Sequence, residues 1–180
     1  MTIEWNELAD YAGGDMDDDA ASRLEDELFA DPENHRVAHA FVAMTDAVAA
    51  LHRDHGTTGV SVTAAELRTI RVSHRVFEVE IAAGEIVPTW IPEDHDVALA
   101  RLRIALAEVK RLDLEFVDRD RRAYFAARDI AFDRDAGEVL VVCSREVAMM
   151  FETTFFRLVR ADGRREVLGE FGIRNAPPPQ

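Results

Sequence analysis

Apolar positions along the chain repeat with two different periods, and the change falls near residue 75. Up to about residue 72 they recur at helical spacing. Trp5, Leu8 and Ala12 predict a short first helix that Gly13-Gly14 ends. Asp15 to Asp19 place carboxylates at the start of a second helix, where they complement its positive end, and Leu24 and Leu28 lie one turn apart on its inner face. Val37, Phe41, Met44, Val48 and Leu51 step by four, three, four and three, which predicts a longer third helix. A polar linker follows at about 53–60. Thr63 and Glu66 then form a capping box for a short fourth helix through about Arg71.

From Val76 onward the period is two. Phe77, Val79 and Ile81 alternate with Glu78 and Glu80, as in a half-buried strand, and Leu112, Leu114 and Phe116 repeat the pattern, as do Val139 and Val141. Asp162-Gly163 between "FFRLV" and "REVLGEF" is a hairpin signal, and Asp118 to Arg122 and Asp133 to Gly137 read as further turns. In "DVALARLRIALAEV" the spacing of Leu99, Leu102, Leu106 and Val109 also suits a helix. Ala100, Leu102, Ile104 and Leu106 opposing Arg101 and Arg103 favour a strand. The pattern predicts an α + β chain in two domains: a helical one over 1–72 and an antiparallel β-sandwich over 75–175. A disordered tail at 176–180 completes it.

Composition narrows the function classes. Of 180 residues 48% are hydrophobic, which excludes a disordered chain. No apolar run approaches the ~20 residues that cross a bilayer, and no signal peptide is visible. The single cysteine, Cys143, excludes an intramolecular disulfide and fits a reducing cytoplasm. Arg outnumbers Lys twenty to one, a mark of a GC-rich genome. Residues 1–56 hold 14 Asp and Glu against 3 Arg, a net of −11, whereas 57–180 hold 21 against 18, a net of −3. Phosphates are repelled by the first third, so direct nucleic-acid binding is disfavoured and a basic protein partner is favoured.

Candidate chemistry is sparse. His35 and His39 lie one helical turn apart with Asp31 a turn back, the outline of a metal clamp, but both sit off the apolar stripe where a polar face belongs. Cys143-Ser144 has no base nearby in sequence and no glycine-rich elbow, so Cys143 reads as a structural thiol. Glu78, Glu80 and Glu85 follow strand periodicity on a solvated face. No phosphate-binding glycine loop and no convergent catalytic set occur, so the chain is expected to bind and not to catalyse. Met149-Met150-Phe151 and Phe155-Phe156 read as sandwich core; the other reading is a ligand surface or a homo-oligomer contact.

The N-terminal stretch "LADYAGGDMDDDAASRLEDELFADPENHR" resembles the anti-sigma domain of bacterial anti-sigma factors. Leu8, Tyr11, Gly14 and Met16 match the family's opening helix and turn, and Leu24 and Leu28 match its amphipathic second helix. The family's His-x3-Cys-x2-Cys zinc motif falls on Glu27, Asp31 and Asn34, so the resemblance is to the zinc-free variant, with no cofactor. In place of a metal, Asp31 is a favoured N-cap with Pro32 at the first helical position, worth about 1 kcal/mol to the helix elbow. The resemblance implies sequestration of an extracytoplasmic-function-type sigma factor and so control of transcription initiation. Trp5, Phe29, Phe41, Met44, Leu67 and Ile70 would be partner-binding. Many relatives carry a transmembrane helix; with no such run and an acidic first third, this chain is expected to be a cytoplasmic regulator that touches neither DNA nor membrane, with the sandwich as its sensory or regulatory part. The alternative is a ligand- or carbohydrate-binding β-sandwich module with an acidic helical oligomerisation domain.

Overall fold

The computed structural model describes residues 16–30 and 60–178, together with Ile3, Glu4, Glu7, Asp10 and Tyr11. The third helix, the elbow at Asp31 and nearly all of the linker fall outside the described residues. Where the second helix is expected, α1 spans Asp18–Phe29. Asp17 caps it, its carboxylate accepting the Ala20 N–H at 2.8 Å, and Asp18 and Asp19 occupy the first turn. Leu24 and Leu28 are buried, and the exposed face carries Asp18, Asp19, Asp26 and Glu27. Tyr11, itself helical, donates its hydroxyl to Glu25 at 2.6 Å.

The strands follow in chain order: β1 (Ile3–Glu4), β2 (Ser61–Val62), β3 (Val76–Ala82), β4 (Ile86–Thr89), β5 (Val97–Arg103), β6 (Leu112–Val117), β7 (Ala123–Ala127), β8 (Glu138–Ser144), β9 (Thr153–Arg160) and β10 (Glu166–Asn175). Helix α2 (Ala64–Ser73) lies between β2 and β3, and the short α3 (Arg145–Met149) follows β8 directly. A six-stranded sheet has the order β1-β7-β6-β9-β10-β4, and a four-stranded sheet the order β2-β8-β5-β3. The ambiguous 96–110 segment is a strand over Val97–Arg103, paired on both sides. The Asp162-Gly163 hairpin joins β9 to β10.

The sheets are mixed, which corrects the antiparallel expectation. β1 with β7, β3 with β5, and β4 with β10 run parallel. Parallel neighbours need a crossover. The chain supplies one by turning out of β3 at Gly84 (φ +86°, a left-handed conformation that glycine adopts without strain), running through β4 in the large sheet, and returning as β5 beside β3. An edge position at β4 tolerates Pro88, which has no N–H for a ladder.

Strand alternation sends one set of side chains into a common interior. Ile81, Leu102 and Val139 from the small sheet meet Leu114, Phe156, Leu158 and Phe171 from the large one in a single apolar cluster. Leu24 and Leu28 of α1 belong to that same cluster. The opposite face of the small sheet is covered in part by α2, where Leu67 and Ile70 pack with Val97, Leu99, Leu140 and Val142. That second contact is why β5 and β8 are nearly all buried instead of alternating. The capping box is present: the Thr63 hydroxyl accepts the Glu66 N–H at 3.3 Å and the Glu66 carboxylate accepts the Thr63 N–H at 2.6 Å. Ala176, expected in the disordered tail, donates its N–H to Thr89 O at 2.8 Å.

Candidate functional site

One end of the space between the sheets is not filled by side chains. A cavity of about 70 Å³ lies there, walled by Phe77 and Val79 of β3, Ala98 of β5, Phe116 of β6 and Phe156 of β9. Val147 and Ala148 of α3, and Phe151 just beyond it, form the end wall. Among the described residues, the only side-chain polar groups on the walls are the hydroxyls of Thr89 and Thr154 and the thiol of Cys143. Thr154 and Thr89 stand on β9 and β4, the two strands that flank β10. The Thr89 hydroxyl is satisfied only by a long contact, 3.4 Å to Val87 O.

Local sequence fixes the end wall. Ser144 ends β8 and caps α3, its hydroxyl accepting the Val147 N–H at 3.3 Å. Arg145 donates from Nε to Ile91 O and Pro92 O at 3.4 and 3.2 Å, tying α3 to the segment after β4. Asn175 at the end of β10 donates from Nδ2 to Ala148 O at 2.9 Å and to Phe151 O at 2.7 Å, across the C-terminal end of α3. Phe116 stands edge-to-face against Phe125 and Phe156, with ring centroids 5.0 and 5.1 Å apart, a geometry that holds the aromatic walls in place.

Ionised groups lie on the outer faces. On the small sheet Arg101 reaches Glu138 at 2.5 Å and Glu78 at 3.5 Å, while Arg103 reaches Glu138 at 2.9 Å and Glu80 at 3.3 Å. On the large sheet Glu115 is 2% exposed, and Arg157 and Arg165 approach it at 2.7 and 2.5 Å. Burial alone would raise that carboxyl, but hydrogen bonds from Arg165 and Arg157, with their charges, hold it below the ordinary carboxylate range. Asp113 beside it accepts from Arg128 at 3.1 Å and from the Asp129 N–H at 3.0 Å. Each of these carboxylates is held by guanidinium partners. Burial pushes the Cys143 thiol up to about 12, so it stands in the cavity wall as a protonated S–H and not a nucleophile.

The residues singled out from sequence are scattered by comparison. Trp5, Asp31, His35, His39, Phe41 and Met44 lie outside the described residues. Among the described residues no three His, Cys, Asp or Glu side chains converge as metal ligands. Leu67 and Ile70 are 3% and 0% exposed beneath α2, so their side chains are committed to the small sheet and not offered to a partner. Phe29 is 59% exposed at the end of α1. Of the apolar region around Met149, Phe151 and Phe156 wall the cavity, Met150 is exposed, and Phe155 points outward beneath the Arg121 guanidinium at 4.7 Å. The cavity itself was missed. Its only sequence signal was the inward phase of strands whose pairing the sequence did not state.

No protein-family model matches the chain, and no curated protein matches it. Among solved structures, the N-terminal domain of phage TP901-1 ORF48 aligns with 57% of this chain and 99% of its own length at 12% identity, with a TM-score of 0.34. A likeness that slight carries no functional argument. No described helix is long and apolar enough to cross a membrane.

Proposed function

We propose that the chain is a cytoplasmic anti-sigma factor of the zinc-free kind, which binds an extracytoplasmic-function-type sigma factor through its acidic N-terminal part and catalyses nothing. The observation that carries this reading is α1. Its apolar residues Leu24 and Leu28 join the interior of the sheets, while Asp18, Asp19, Asp26 and Glu27 face solvent in a segment whose net charge is −11 over residues 1–56. An acidic surface anchored on a folded core suits a partner whose DNA-reading faces are basic. Co-expression of the full chain with the sigma factor encoded beside it tests the proposal. A complex that survives purification and loosens at high salt is expected, as is its loss in the triple variant Asp18→Lys, Asp19→Lys, Asp26→Lys. Failure of the full chain to retain any sigma factor of its own organism would falsify it.

A second reading, a ligand-binding sandwich module, is favoured by the cavity. Largely apolar concave sites with a few polar groups are the usual form of a small-molecule site. The two readings are compatible, since a regulator needs a part that senses.

A further inference from the structure

We infer that the cavity between the sheets is a binding site for an uncharged, apolar molecule about the size of one six-membered ring. The inference rests on the ligand-binding reading of the sandwich and is independent of the sigma factor. Size follows from volume: 70 Å³ is about half of the roughly 150 Å³ of an apolar cavity that takes a benzene, and this cavity is partly open to solvent, so a single ring is the largest group it admits, with part of it at the mouth. Charge follows from the walls. Arg101, Glu78 and Glu138 all point away on the outer face of the small sheet, and Glu115 and its arginines on the outer face of the large one, so a charged ligand would lose its water and meet no counterion. The S–H of Cys143 and the hydroxyls of Thr89 and Thr154 meet a neutral molecule without that penalty.

Shape points to a ring. Phe77, Phe116, Phe125, Phe151 and Phe156 all border the space, and aromatic edges and faces are best met by another flat apolar surface. The site is also built, not a loose gap. Arg145 of α3 donates to the Ile91 and Pro92 carbonyls after β4, and Asn175 of β10 donates to the wall's own Ala148 and Phe151 carbonyls, so the α3 wall is fastened to two neighbouring segments. A cavity that arose only from poor packing would not need its end wall tied on both sides.

Thermal unfolding of the full chain, followed by circular dichroism at pH 7, tests this with toluene, benzyl alcohol and benzoate as probes. Toluene and benzyl alcohol should raise the midpoint by roughly 3–6 °C at a tenfold excess over Kd, and benzoate should leave it unchanged. In Ala98→Leu, whose larger side chain occupies the space, both shifts should vanish while the native spectrum persists. Ala148→Leu fills it from the α3 side and replaces the first variant if that one does not fold. Stabilisation by benzoate equal to that by benzyl alcohol would overturn the ligand class and leave the ligand-binding reading intact. No shift with any probe overturns both. Undiminished shifts in a folded filled variant place the binding elsewhere and overturn the site.

Discussion

Part of each sheet's outer face is buried, under α2 on the small sheet and around Glu115 on the large one, and by opposite means. On the small sheet, α2 lays Leu67 and Ile70 over Val97, Leu99, Leu140 and Val142, an apolar seal. On the large sheet, Asp113 and Glu115 are 5% and 2% exposed beneath the guanidinium groups of Arg128, Arg157 and Arg165. An apolar seal gains stability from each methylene removed from water. A charged cover gains little net stability, because desolvation offsets attraction, but it is costly to leave half-made. The part of the small-sheet face beneath α2 is therefore sensitive to volume, and the part of the large-sheet face around Glu115 to charge.

That contrast can be broken at defined positions. Ile70→Ala should cost the most, about 2–5 kcal/mol, as a midpoint loss in urea unfolding with little pH dependence. Glu115→Gln keeps the volume and removes the charge; it should cost about 1.5–3 kcal/mol at pH 7. Because the folded Glu115 carboxyl lies below its unfolded value of 4.5, its stabilisation is present above that pH and is lost as the pH falls through the folded value. The gap between native protein and Glu115→Gln should accordingly close in acid, whereas the gap to Ile70→Ala should stay open. A constant gap for both would erase the distinction drawn between the faces.

Two smaller effects sharpen it. The Cys143 thiol, between the faces, is raised from 9.0 to about 12, so the unfolded chain ionises first as the pH rises. Stability should fall roughly tenfold in the folding equilibrium per pH unit between those values, and Cys143→Ala should remove that alkaline limb without touching the acid one. At pH 8 the native thiol should resist a disulfide reagent that labels the unfolded chain at once. Thr63→Ala, which unmakes the α2 capping box, should cost about 1 kcal/mol and loosen the apolar seal alone. Hydrogen exchange confined to α2 would show it.

Local rules carried part of this architecture. The period-two runs at β3, β6 and β8, the Asp-Gly turn before β10, the acidic start of α1 and the Thr63–Glu66 box all act within about ten residues, and their chemistry is complete there. β4 escaped because Pro88 interrupts a four-residue run, and only its place at a sheet edge makes that residue harmless. α3 escaped because five residues carry too little periodicity. Leu67 and Ile70 show a deeper limit: a two-residue stripe on a short helix has the same spacing whether it meets a partner or its own sheet. The cavity was out of reach for the same reason. Thr89, Cys143 and Thr154 come from three strands in two sheets, and no rule of spacing joins them.

Pro88 has one more consequence. Glu85 O and Thr89 O accept from Gly172 and Ala176, so the odd-numbered peptide groups of this stretch face β10 and the even-numbered ones face away. The ring nitrogen of Pro88 therefore falls on the outward side of β4, which ends the six-strand order among the described residues. A foreign strand approaching that rim finds a gap where it needs a donor, and the proline ring stands in its path. The residue that obscured β4 in the sequence thus hinders strand-by-strand growth of the large sheet at this edge.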